Sequence, residues 1–176
     1  MRLTRHPAHT QSGFTFYELM ITIVIISIGA VLALPSFSDA IERNRIAAQT
    51  NELMAAFNFA RTEAIRSNAQ VVVCGVNAAN NGCEASNWNR GWLIYRPVSA
   101  TDSAVATVLR VYELSSKDKL SGPARIHFGP RGQLVTPTAA TTLDLQPQTC
   151  ATSKEFRRRF SVTVTGAATH TKGNCT

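Results

Sequence analysis

A polar stretch ending at Gly13 opens the chain, and FTFYELMITIVIISIGAVLAL follows at residues 14–34, apolar throughout except for a few hydroxyls and one carboxylate, Glu18. Twenty-one residues at a rise of about 1.5 Å each make a helix of membrane-spanning length. A carboxylate in lipid is costly unless a partner neutralises it, so Glu18 marks a functional position. Pro35 has no backbone N–H to donate and predicts a kink or local loosening. The pattern then changes without stopping. Ile46, Leu53, Phe57, Ala60 and Ala64 recur at helical spacing with Glu42, Arg43, Glu52 and Glu63 between them. This predicts an amphipathic helix to residue 67 or 68, one face on a soluble core.

After Asn68 the period falls towards two. Residues 71–74 predict a short strand, 77–89 a polar loop holding Cys83, 91–96 a second strand and 105–114 a third. Residues 115–123 read as a turn region. Residues 125–128 and 133–135 flank the turn sequence GPRG, and 141–145 make a further strand. The clearest strand is 158–165, where Phe160, Val162 and Val164 point one way and Arg159, Ser161 and Thr163 the other. The predicted fold class is α+β, a long N-terminal transmembrane and amphipathic helix packed on an antiparallel β-sheet.

Charge adds a direction to the apolar run. The formal net charge is +7, from 18 basic and 11 acidic residues. The leader carries Arg2 and Arg5 and no acid, which keeps it cytoplasmic by the positive-inside bias. Without it, 18 − 2 = 16 basic and 11 acidic residues remain, or +5, which permits an acidic partner or nucleic acid without demanding one. An ordinary secretory signal is cut after its apolar region. Here the processing point, between Gly13 and Phe14, lies before it, so the apolar segment stays on the mature chain.

These features resemble the class III leader of type IV prepilins and pseudopilins, which a prepilin peptidase cuts after the glycine. The matching residues are Gly13, Phe14 as the new N-terminus, Thr15, Glu18 and Leu19, with Pro35 where pilins commonly carry a proline. The resemblance implies a leader at 1–13, a transmembrane and assembly helix at 14–37 and a periplasmic pilin-like domain at 38–176. It also implies N-terminal methylation, and a Glu18 carboxylate that pairs with the Phe14 amine of a neighbouring subunit. The chain is then expected in the inner membrane, single-pass with its C-terminal domain periplasmic, and later in a pilus fibre at the cell surface. Expected partners are other major and minor pilins, the prepilin peptidase and the inner-membrane assembly platform.

Cys74, Cys83, Cys150 and Cys175 all lie in the exported part, where an even count reads as two disulfides. Three pairings exist. Cys74–Cys83 and Cys150–Cys175 are favoured, since each closes a polar segment rich in Asn, Thr or Gly. Zinc is the competing reading, but there is no CxxC, and His127 and His170 lack ligand spacing. No metal and no cofactor is expected.

A second resemblance narrows the class. NELMAAFNFARTEAIRSNAQVVVC, residues 51–74, is similar to the GspH/FimT-type pseudopilin family, in which a helix end like Ala60-Arg61-Thr62-Glu63-Ala64-Ile65 runs into the first strand. Cys74 and Cys83 around a short loop, Trp88, Gly91-Trp92-Leu93-Ile94 and the Phe128-Gly129-Pro130-Arg131-Gly132 turn agree with it. Arg61 and Glu63 are expected to orient the helix end, Trp88 and Trp92 to be core aromatics, and Gly129 and Gly132 to serve turn geometry.

Catalysis is not expected. Ser121 has no GxSxG context, His127 reads as a packed strand histidine, and no paired-carboxylate motif occurs. Three non-catalytic readings stand. The first is a structural minor pilin that primes or caps pilus assembly in twitching, adhesion or DNA uptake. The second is a DNA receptor in natural transformation, and the third an H-type minor pseudopilin of type II secretion. For DNA the family implies a C-terminal GRxR-like motif, but the matching position, Gly166-Ala167-Ala168-Thr169, has no arginine. What remains is Arg157, Arg158 and Arg159 with Lys154 and Lys172 nearby, Arg159 facing away from the core. Arg125 and Arg131 around the glycine turn are the alternative site for double-stranded DNA.

Overall fold

The computed structural model describes residues 13–99 and 104–176, with the side chains of 31–36 excepted. The chain falls into two compact units, Met1–Ala40 and Ile41–Thr176. One helix, α1, comprises Phe16–Ser67. The expected kink at Pro35 falls among the side chains outside the description, and so does the leader before Gly13.

Helix α1 starts at a cap and ends at one. Thr15 Oγ1 accepts from the backbone N–H of Glu18 at 3.2 Å, which satisfies one of the donors a helix N-terminus leaves open. At the other end Asn68 takes a left-handed φ of 48°, and Ala69 N–H donates to Ala64 O at 3.2 Å. A short polar residue tolerates that conformation and closes the helix before the first strand.

Nine strands follow: β1 Val71–Gly75, β2 Gly91–Pro97, β3 Val105–Glu113, β4 Asp118–Ser121, β5 Ile126–Phe128, β6 Leu134–Thr136, β7 Thr141–Pro147, β8 Arg157–Val162 and β9 Ala168–Gly173. They form two sheets where the sequence predicted one. The first has the order β3-β2-β1-β5-β6 and the second β4-β7-β8-β9. Every described pairing is antiparallel. Two strands were unforeseen. β4 lies in the expected turn region, because its four residues are too few for alternation to register. β9 is polar along most of its length and carries no apolar alternation; it is held by pairing with β8 from Arg157↔Gly173 to Val162↔Ala168. The predicted strand 158–165 accordingly ends at Val162, where the chain turns into β9.

The helix face foreseen from its spacing is the centre of the core. Ile46, Leu53, Ala56, Phe57, Ala60 and Ala64 pack with Val71, Val73, Ile94 and Phe128 of the first sheet and with Leu143, Leu145, Phe160 and Val162 of the second. Phe57 meets Phe160 edge-on at 6.5 Å between ring centroids. Trp88 and Trp92 are fully buried. Trp88 Nε1 donates to Pro123 O at 2.9 Å, and Trp92 stacks on Tyr112 at 5.4 Å. The other face of the first sheet carries a smaller cluster of Val72, Cys74, Val76, Leu93 and Tyr95, so β1 is buried on both sides.

Two disulfides staple the second unit, Cys74–Cys83 and Cys150–Cys175. The first holds the polar loop against β1, and the second fixes the end of β9 to the loop before β8.

Candidate functional site

The N-terminal unit presents a contiguous apolar surface. Phe14 is 83% exposed, and Phe16, Tyr17, Met20, Ile23 and Ile26 are more than half exposed. An exposed stripe of this kind needs lipid or other helices as its neighbour. Among the described residues no helix is long and apolar enough to cross a membrane; residues 31–36, which complete the run, lie outside that set. Gly13 has nothing within 4 Å of where a Cβ would stand. Glu18 lies exposed in the first turn of α1, three residues after the capping Thr15. A carboxylate there is favoured by the helix dipole and remains available to an amine from another chain.

In the second unit three polar junctions orient the helix against the sheets. Arg45 Nε donates to both carboxylate oxygens of Asp118 on β4 at 3.1 Å, and Arg45 Nη2 reaches Glu42 Oε1 at 3.0 Å. Asp118 is fully buried; burial pushes its carboxyl up from the ordinary value, with the Arg45 hydrogen bond pulling it back. Glu63, also buried, accepts two hydrogen bonds from Arg66 and one at 2.9 Å from Arg96 Nη2 of β2. The Arg66 bond, ahead of desolvation and then Arg96, sets the direction and holds the Glu63 carboxyl below its ordinary value. At the third junction Arg61 Nε donates to Gly132 O at 3.2 Å. Gly132 and Gly166 both have φ in the left-handed region, 74° and 76°, and a Cβ on Gly166 would stand 1.9 Å from Gly132 O. Arg61 and Glu63 therefore orient the helix end, as the sequence predicted. Asp118 and its partner Arg45 went unnoticed, because nothing local distinguishes one buried Asp from a surface one.

The arginine run at 157–159 does not form an exposed patch. Arg158 shares the inward face of β8 with Phe160 and Val162 and is 7% exposed. Its Nη1 donates to the carbonyls of Glu155 and Arg157, each at 2.9 Å, and burial pushes its guanidinium below the ordinary value, with Glu155 opposing. Arg159 does face outward, where Asp144 on β7 takes both its Nε and Nη2 at 2.9 Å. Arg157 lies over Gly173, with its Nη2 3.3 Å from where a Cβ would stand. Strand parity was legible in the sequence; the cross-strand partner Asp144 was not. Gly166 and Ala167 lie in the turn between β8 and β9, and Ala168 and Thr169 begin β9. Arg125 and Arg131 are exposed.

His127 sits in β5, 6% exposed, on the sheet face with Val72, its register partner. Burial, and then the nearby Arg125 charge, push its imidazole below the ordinary value. Among the described residues no group of three or more His, Cys, Asp or Glu could hold a metal ion. The four cysteines are all oxidised, which leaves no thiolate to serve as a ligand.

A capped apolar helix start bearing a first-turn glutamate, together with a disulfide-stapled head of helix and antiparallel sheets, defines a pilin-like protein. The comparisons with known proteins agree. Residues 49–167 match the family described as type II transport protein GspH, and residues 8–34 match the prokaryotic N-terminal methylation motif. The chain belongs to the GspH family. Two crystal structures of the type IV minor pilin FimU from Pseudomonas aeruginosa strain PAO1 share its fold. One is 19% identical with a TM-score of 0.57, covering 73% of this chain and 89% of that one. The other is 18% identical with a TM-score of 0.52, covering 71% and 91%. No curated protein sequence matches the chain. Family and motif together place this chain among the membrane-anchored pilins and pseudopilins.

Proposed function

We propose that the chain is a minor type IV pilin, a structural subunit that helps to prime or cap pilus assembly, with no catalytic role. The observation that carries this reading is Glu18, exposed in the first turn of α1 within a segment that matches the methylation motif. In this reading a prepilin peptidase cuts after Gly13 and residues 14–34 hold the subunit in the inner membrane as a single pass. The Glu18 carboxylate then pairs with the N-terminal amine of a neighbouring subunit at the assembly platform. A charge pair in that dry interior is worth far more than one in water, while an unpaired carboxylate there is costly.

The experiment compares Glu18→Ala with the native chain in sheared pili and in the membrane fraction. The variant is expected in the membrane in normal amount and depleted from pili. Equal recovery of both in pili would overturn the assembly role. Processing is read in the same samples from Gly13→Val, which is expected to accumulate as a precursor about 1.4 kDa heavier than the mature chain (a thirteen-residue leader).

The family description as a type II transport protein favours a second reading, a minor pseudopilin of type II secretion. Deleting the chain separates the two. Loss of surface pili with normal secretion supports the first, and loss of secretion with normal piliation supports the second.

A further inference from the structure

A cavity of about 320 Å³ opens between α1, the loop before β8, and the β8–β9 pair, lined by Arg43, Ser153, Lys154, Glu155, Phe156, Arg158 and Lys172. Four cationic side chains and one carboxylate line it. Arg158 and Lys172 are direct cross-strand partners, an arrangement in which like charges destabilise a sheet. Arg158 is nine-tenths buried, and its Nη1 donates only to the carbonyls of Glu155 and Arg157. Among the described residues neither it, Lys172 nor Arg43 has a carboxylate at ion-pair distance. Arg43 stands over the Phe156 ring at 6.0 Å, closing the cavity on the helix side. The Glu155 charge offsets the burial of the Arg158 guanidinium only in part, and a matching anion adds charge-assisted hydrogen bonds.

We propose that this pocket seats the phosphate of an anionic phospholipid headgroup while the subunit waits in the membrane. The proposal rests on the membrane-anchored state. Arg43 lies nine residues beyond Leu34, the end of the apolar run, and nine residues reach at most about 32 Å even when fully extended. A headgroup is therefore within the pocket's reach while the run is in the bilayer. Its shape also decides against nucleic acid. A concave site with one buried guanidinium takes a single phosphate group, whereas a duplex presents its charges along a rail that needs a stripe of exposed cations. The neighbouring outward arginine, Arg159, is already paired with Asp144.

The test uses the full chain in neutral detergent at fixed ionic strength. Thermal stability is followed against short-chain phosphatidylglycerol, short-chain phosphatidylcholine, inorganic phosphate and a short DNA duplex. Phosphatidylglycerol is expected to raise Tm in a saturable way and phosphatidylcholine to leave it unchanged. The double variant Arg43→Gln/Lys172→Gln removes two exposed side chains and is expected to keep the fold while weakening the apparent affinity roughly tenfold or more. Arg131→Gln, an exposed charge change on the β5–β6 turn, is expected to have no effect. An equal response to both lipids, or an equal loss in Arg131→Gln and the double variant, overturns the site. Phosphate binding as tightly as the lipid overturns the headgroup assignment in favour of free phosphate. A response to DNA without one to phosphatidylglycerol overturns it in favour of nucleic acid. Anchoring is read separately by flotation of the full chain with phosphatidylcholine vesicles, which do not engage the pocket, so failure of the anchor and failure of the site are distinguishable.

Discussion

Arg45 of α1 and Asp118 of β4 are joined across 73 residues of chain by a two-oxygen grip, and Asp118 has no exposed surface. The pair fixes the helix to the first strand of the second sheet. Removing Arg45 leaves the Asp118 carboxylate buried and uncompensated. Arg45→Ala is expected to cost about 3 kcal/mol in denaturant unfolding of the full chain. Asp118→Asn, which keeps size and some hydrogen bonding, is expected to cost less. Equal, small losses in both variants would show that the grip contributes nothing net.

Glu63 predicts the acid limb of stability. Its folded value lies below the ordinary 4.5, so its contribution is fully present above about that pH and is lost as pH falls through the lowered folded value. Asp118 runs the opposite way. Its folded value is raised, so protonation favours the folded state and ionisation costs as pH rises through that value. Glu63→Gln is therefore expected to be less stable than the native chain at neutral pH and to converge on it as pH falls below the lowered folded value. Parallel curves across this window would show that Glu63 is not the linked group.

Gly166 cannot accept a side chain. Its φ is left-handed and the Gly132 carbonyl occupies the space a Cβ needs. Gly166→Ala is expected to cost about 2 kcal/mol or more, read as a lowered Tm. It should also speed hydrogen exchange at Leu134, whose N–H donates to Val164 O at 2.9 Å beside this contact. An unchanged Tm would show that the two turns move apart freely.

Affinity of the chain for duplex DNA, where measured, is expected to depend on Arg125 and Arg131, because Arg158 is buried and Arg159 is already paired. Two phosphate contacts imply a slope near −2 in log affinity against log salt. Arg125→Ala/Arg131→Ala should flatten that slope, and Arg159→Ala should leave it unchanged. The reverse result would return the receptor reading to β8.

The cysteine pairing is testable without mutation. Peptide mapping of the non-reduced chain is expected to return Cys74 linked to Cys83 and Cys150 to Cys175. Loops of this size are worth on the order of 3 kcal/mol each in the chain-entropy model, so reduction should lower Tm sharply. Free thiols or crossed links would remove the staples.

Local pattern determined the apolar run with Glu18 at its start, the helix face from Ile46 to Ala64, and most of the strands, because burial imposes a period that a linear sequence records. The inward parity of Phe160 and Val162 was legible for the same reason, and it carries Arg158 inward with them. Partnership across strands was decided only by the tertiary structure. That Asp144 meets Arg159, that Lys172 faces Arg158, and that Asp118 is sealed against Arg45 depend on register and sheet order. Those are set by contacts between segments far apart in the chain, and β9, whose residues are mostly polar, exists only because β8 offers it an edge to pair with.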